Sequence, residues 1–325
     1  MKSIKISSVW INPELVKNSL FFEIFNKLSS YNVKYVKPYE CDILFLGPYN
    51  INSIKHRFLK YIDRKYKKKF TSKIENFEQS ILLRKSQPLK IFYSHENYRY
   101  DDITADYYFT SDLVSSKKNH FRFPIWKEYL DWSSLGIIRS INKFNHSGRV
   151  GEYYDEKRLK KPLGKSFLQK KREISFITSD LKDPKGKFYQ ILSSNFKVHG
   201  FGAAFDKKLI NHSNQKFLKK DILKNYAFNL CPHNSIYPGY YDERVIDAFY
   251  FDTLPITWSD KNISIDFNTN SFINLNDYLN NFDQLIDDLK NEDFLSQKAQ
   301  QPLILKDQNL NKEFEIIEKI LKDFN

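Results

Sequence analysis

Residues 226–258 read YAFNLCPHNSIYPGYYDERVIDAFYFDTLPITW. A short apolar run, Phe228 and Leu230, stops at Cys231-Pro232, and a loop containing Pro, Gly and Asn follows. Glu243-Arg244 then opens a segment with helical apolar spacing at Val245, Ile246, Ala248 and Phe249, and a strand-like run from Leu254 to Trp258 closes the stretch. Strand, polar loop, helix, strand is the unit that brings ligand-binding groups to the carboxyl edge of a parallel sheet. The stretch therefore predicts an α/β fold with a site after its first strand.

The same pattern recurs on both sides of it. Upstream, Ile4 to Ile6 with Val9, Asp42 to Leu46, Lys90 to Tyr93 and Tyr107 to Phe109 read as strands. Glu14 to Leu28 reads as a helix with Leu15, Leu20, Phe21, Ile24, Phe25 and Leu28 on one side. Strands alternating with helical segments predict a doubly wound sheet. Residues 130–172 are polar and hold Gly148-Arg149-Val150-Gly151 and Lys160-Lys161-Pro162, which predicts a break. The pattern then restarts with a strand (Ser175 to Thr178), a helix (Lys187 to Ser193) and a strand (Lys197 to Gly200). The expected organisation is a first α/β domain over 1–150, a linker over 151–172, a second α/β domain over 173–280 and a helical tail over 281–325.

Composition narrows the class. The chain has 325 residues, which is long for one core and makes two domains the default. A hydrophobic fraction of 41% with 16% aromatics can build both cores. The two cysteines, Cys41 and Cys231, read as reduced structural thiols, Met1-Lys2 does not lead into a signal peptide, and no run is apolar enough to span a membrane. These features predict a cytoplasmic protein. The net charge of +13 is concentrated at Lys55 to Lys73 and Lys157 to Arg172, without an RNA-binding aromatic signature, a zinc-ligand spacing or a DNA-binding motif. It reads as solvated surface or as attraction to an anionic inner membrane leaflet, not as a nucleic-acid site.

The central stretch resembles the donor-binding motif of the bacterial α-1,3-fucosyltransferases, FxLxFEN…GYxTEKxxDA…PIYWG. The resemblance runs collinearly from about residue 90 to 280. Phe92-Tyr93-Ser94-His95-Glu96-Asn97 is similar to the family's FYTGEN, and Ser175 to Gly202 is similar to the segment in which a basic residue precedes a Phe-Tyr pair. Asp266-Phe267-Asn268, Ser271 to Asn274 and Asp277 resemble its DFNPKSFVNVHD. The resemblance implies two Rossmann-like domains facing a cleft, the glycosyltransferase B architecture, with the acceptor on the first domain and a GDP-sugar on the second. The chain contains no Asp-x-Asp triplet, the metal signature of the other main nucleotide-sugar transferase fold. No metal or other cofactor is therefore expected. The diphosphate would be neutralised by side chains and helix ends.

Site residues follow from the same match. Asp242 stands where a helix N-cap belongs, and Gly239 lets backbone approach a phosphate. Arg244 in the first turn is suited to diphosphate oxygens, and Glu243 to a ribose diol. Taken alone, this pair also fits an ordinary first helical turn. The match adds Asn234 and Tyr240 as donor-sugar or phosphate contacts, and Lys185 at the family's basic phosphate-binding position, usually Arg. His95, His233 and Gly239 are expected to line the pocket. Glu96, emerging after a buried strand, is the expected general base of an inverting transfer. Without the match it reads first as a loop acid paired with Arg99.

The chain departs from the motif around the donor pocket. Phe-Glu-Asn becomes Pro232-His233-Asn234, Thr becomes Asp242, Lys becomes Arg244, and Gly after Trp258 becomes Ser259. The expected activity is transfer of fucose, or another GDP-linked deoxyhexose or heptose, to a hydroxyl of a bacterial surface glycan such as an LPS O-antigen or capsule. The acceptor is left open between a free and a lipid-linked glycan, the latter implying peripheral contact with the anionic membrane. The alternative reading is a non-catalytic basic protein that binds glycan, lipid or nucleic acid on a degenerate transferase scaffold.

Overall fold

The computed structural model describes residues 3–29, 31–48, 88–97, 100–101, 103–139, 150–206 and 218–324. The chain divides into two compact units, Met1–Phe123 with Leu310–Asn325, and Pro124–Asn309. The basic stretch Lys55 to Lys73, Gly148-Arg149 and Arg99 lie outside the described residues.

In the first unit, β1 (Ser3–Val9) leads through α1 (Pro13–Lys17) and α2 (Leu20–Leu28) to β2 (Asn32–Tyr35). β3 (Ile43–Leu46), β4 (Leu89–Tyr93), β5 (Tyr107–Thr110) and β6 (His120–Arg122) complete a parallel sheet in the order β2-β1-β3-β4-β5-β6. Such a sheet is covered on both faces, so its inner strands read as unbroken apolar runs. β3 follows this rule: all four residues are buried. Phe45 meets Phe21 of α2 on one face (5.7 Å between ring centroids), while Leu44 and Leu46 join Phe92, Tyr100, Ile103 and Tyr108 on the other. The single helix expected from Glu14 to Leu28 is broken at Asn18-Ser19. Ser19 caps α2, its Oγ accepting from Phe22 N at 3.1 Å.

The second unit holds α3 (Glu156–Leu159), α4 (Gly164–Leu168), β7 (Ile174–Ile177), α5 (Lys185–Ser193), β8 (Val198–Phe201) and α6 (Lys219–Leu223). β9 (Phe228–Leu230), α7 (Arg244–Tyr250), β10 (Leu254–Thr257), β11 (Ile273–Asn274), α8 (Phe282–Lys290) and α9 (Glu292–Ala299) follow. Its parallel sheet has the order β11-β10-β9-β7-β8. The central stretch is thus β9, loop, α7 and β10, as its pattern predicts.

The division falls elsewhere than the composition predicts. The second unit begins at Pro124, not after residue 150. Trp126 explains this locally: its Nε1 donates to Asp266 Oδ2 at 2.9 Å and its ring packs on Phe267. Residues 151–172 are no exposed linker either. Leu159, Leu163 and Phe167 are buried at a four-residue spacing that the surrounding lysines, Pro and Gly mask in the sequence. The tail divides as well: α8 and α9 stay with the second unit, whereas α10 (Asn311–Phe324) packs in the first against α2. Cys41 and Cys231 are both free thiols.

Candidate functional site

In the second sheet the neighbours β7 and β9 lead outward in opposite directions, to β8 and to β10. Ligands of open α/β sheets bind at such a switch point, outside the carboxyl ends of the strands. Two loops leave this edge: residues 178–184 run from β7 to α5, and residues 231–243 run from β9 to α7. Gly239 adopts φ 99°, a left-handed backbone that glycine tolerates best, and this bends the second loop before Tyr240.

Both loops end in a cation. Lys185 is the first residue of α5 and is 8% exposed, and the Arg244 side chain at the start of α7 is 28% exposed. Lys185 Nζ lies 3.4 Å from Asp180 Oδ2. Burial depresses the Lys185 ammonium, and the nearby Arg244 guanidinium depresses it further, while Asp180 and Asp242 oppose both. A buried cation on the positive end of a helix, beside a second cation, is unfavourable on three counts. An anion between Lys185 and Arg244 would relieve all three.

Arg244 is held by the preceding loop. Its Nη1 donates to Pro232 O (3.1 Å) and pairs with Asp242 Oδ2 (2.9 Å), and its Nη2 donates to Asn234 Oδ1 (3.3 Å). Asp242 stands one residue before the cap position, which Glu243 occupies without a side-chain capping bond. The Asp242 carboxylate still accepts from Arg244 N at 3.1 Å. Burial would raise the Asp242 carboxyl, but Arg244 and His233 outweigh it and hold it below the usual range. His233 Nδ1 is 3.0 Å from Asp242 Oδ1, and the ring is 1% exposed. Tyr240 is buried beside His233, with ring centroids 6.2 Å apart. Asn234 is exposed on the loop.

Glu243 faces inward and is 3% exposed, with Oε1 3.5 Å from Lys219 Nζ. Lys219 also pairs with Asp247 Oδ2 (2.5 Å), and Asp247 Oδ1 accepts from Tyr154 OH (2.5 Å). The sequence reading passed over Lys219, Asp247 and Tyr154, because three separate segments supply them. It also passed over the end of β10. There Trp258 Nε1, Ser259 Oγ and Asp260 Oδ2 are buried without a hydrogen-bond partner among the described residues. Asp260 Oδ1 accepts from Tyr241 OH at 3.0 Å. Among the described residues, no cluster of His, Cys, Asp and Glu could hold a metal ion.

In the first unit, Glu96 and His95 lie in the loop after β4, at the carboxyl edge of that sheet. Glu96 is exposed, and its backbone N donates to Ser94 Oγ at 3.1 Å. His95 stacks on Phe123, with centroids 5.9 Å apart and planes 4° from parallel.

Residues 167–299, in the second unit, match the model of glycosyltransferase family 10 (fucosyltransferase), C-terminal. The chain is 28% identical over 218 residues to the α-(1,3)-fucosyltransferase FucT of Helicobacter pylori. That match takes in 62% of this chain and 43% of the length of the relative. Crystal structures of an α1,3-fucosyltransferase, one of them with GDP-fucose, superpose with a TM-score of 0.63 at 22% identity. They cover 99–100% of this chain and 90–91% of theirs, which establishes the fold. Residues 167–299 of the second unit are thus similar to the C-terminal part of the family 10 glycosyltransferases.

Proposed function

We propose that this chain, similar to family 10 over residues 167–299, is an inverting glycosyltransferase. It moves fucose or a related sugar from a GDP-sugar to a hydroxyl of a bacterial surface glycan, an LPS O-antigen or capsule. The observation that carries this reading is the cation pair at the switch point. Lys185 and Arg244 come from the helices after two adjacent strands, and their mutual repulsion suits them to a ligand with two linked phosphates. The FucT relative and the GDP-fucose-bound neighbour support a GDP-sugar as that ligand.

In this reading Lys185 and Arg244 bind the diphosphate. Glu243, 3.5 Å from Lys219 Nζ, takes the ribose diol, while Asn234 and Tyr240 contact the donor sugar or phosphate. Gly239 and His233 shape the donor pocket of the second unit, and His95 stands next to Glu96 in the first. Glu96 accepts the acceptor's hydroxyl proton as its oxygen attacks the anomeric carbon. The bond from that carbon to the diphosphate oxygen breaks, and the electron pair leaves with GDP, whose new charge the two cations neutralise. No metal is required for that step. The net charge of +13 suits work on lipid-linked acceptors at the anionic inner face of the cytoplasmic membrane.

A thermal-shift series tests the reading. GDP should raise the melting temperature more than UDP, CDP or ADP, and the shift should survive EDTA. A ligand at 100 times its Kd stabilises by about 2.7 kcal/mol, well within reach of the method. An equal response to UDP, or a shift abolished by EDTA, would overturn the guanine-specific, metal-free assignment.

A further inference from the structure

The chain departs from the fucosyltransferase motif at His233, Asp242 and Arg244, positions up to eleven residues apart in sequence. In the folded protein these three touch. Asp242 Oδ1 faces His233 Nδ1 at 3.0 Å and accepts from Arg244 N at 3.1 Å, while Oδ2 pairs with Arg244 Nη1 at 2.9 Å. The motif's acid at 233 has become histidine, and an acid has appeared at 242 against it. Lys185 and Arg244 have likewise exchanged types with the motif, which has Arg at the first position and Lys at the second. His233, Asp242 and Arg244 thus form one connected contact group, and Lys185 completes the cation pair it serves.

We propose that His233 is a positioning residue for the diphosphate grip, acting through the Asp242 carboxylate on the Arg244 guanidinium. The inference rests on the functional reading above. A guanidinium carries five N–H donors. Pro232 O and Asp242 Oδ2 engage Nη1, and Asn234 Oδ1 engages Nη2. Among the described residues, that leaves Nε and one Nη2 proton for a phosphate. A carboxylate free to turn would close on the guanidinium with both oxygens, the geometry such pairs favour, and would compete for those protons. His233 prevents this. Its ring is 1% exposed and packed beside Tyr240 and Tyr241, so it cannot swing away, and its Nδ1 stands 3.0 Å from Oδ1, blocking that oxygen's turn toward the guanidinium. Asp242, itself 3% exposed, is left with one oxygen for Arg244.

The experiment is a double-mutant cycle on the full chain, read by calorimetric titration with GDP and, separately, with inorganic pyrophosphate. Arg244→Ala should weaken binding about ten- to a hundredfold, the range of a charge-assisted contact. His233→Leu fills the volume without a polar nitrogen and should weaken binding about tenfold. The double variant should bind no worse than Arg244→Ala alone. His233→Asn keeps an amide N–H near the Nδ1 position and should restore most of the affinity. The inference is overturned if the His233→Leu loss persists undiminished in the Arg244→Ala background, if Asn rescues no better than Leu, or if His233→Leu binds as the wild type does. A failure of the functional reading looks different. The wild type would then ignore GDP yet still bind pyrophosphate, on which the cycle is read unchanged. A wild type that binds neither overturns both.

Discussion

Neighbouring residues of one motif have opposite environments here. Glu243 is 3% exposed and turned to Lys219, whereas the Arg244 side chain is 28% exposed at the sheet edge. Consecutive residues entering a helix point about 100° apart, so the two side chains meet different surroundings. In the other unit, Glu96 is exposed on a loop whose backbone Ser94 pins. As the proposed base, it should be separable from nucleotide binding. Glu96→Gln keeps size and hydrogen bonding but cannot take a proton, so turnover should fall by roughly 10²–10⁴-fold with GDP affinity unchanged. A transfer assay and a GDP titration check this. Unchanged turnover would remove Glu96 from the chemistry and make His95 or Glu128 the next to test.

At the scale of elements, the switch-point edge depends on how closely β7 and β8 end together. Gly202, just after β8, has φ 93°, and a Cβ there would lie 2.5 Å from Thr178 O at the end of β7. Gly202→Ala should destabilise the protein by more than the roughly 1–2 kcal/mol of a left-handed non-glycine residue, because the carbonyl must also move. Denaturant unfolding measures the loss, and a change under 0.5 kcal/mol, about the scatter of surface substitutions, would refute the close approach. The long apolar strands were legible because burial on both faces leaves an unbroken apolar run. β2, β6 and β11 were not. They have two to four residues each, and the partly polar β2 and β6 lie at an edge of their sheet.

At the scale of the whole molecule, the chain does not leave the first unit after Phe123 for good. α10 returns to it, with Ile317 and Ile320 fully buried, and Tyr107 OH of β5 donates to Asp323. The apolar spacing of α10 was visible in the sequence, but its destination was not. Ile317→Ala should cost about 2–5 kcal/mol, the range for emptying a packed aliphatic site. Amide hydrogen exchange should show lost protection in α2 and β5 before β9 and β10. Protection lost first in β9 and β10 would mean that the helix supports the other unit.

What the sequence determined alone is whatever is local: strand and helix periods, the loop glycine at 239, and the order of acid and base entering α7. From these came the α/β class and the placement of Arg244 and Glu243 at a sheet edge. The tertiary structure decided what depends on contacts between distant segments. It put Lys185 beside Arg244, gave Lys219 to Glu243 and Asp247, set His233 against Asp242, and assigned residues 124–172 and 310–325 to their units. The physical reason is that periodicity reports which face of an element is buried, but not which other segment buries it. Short-range charge contacts between segments leave no period to read.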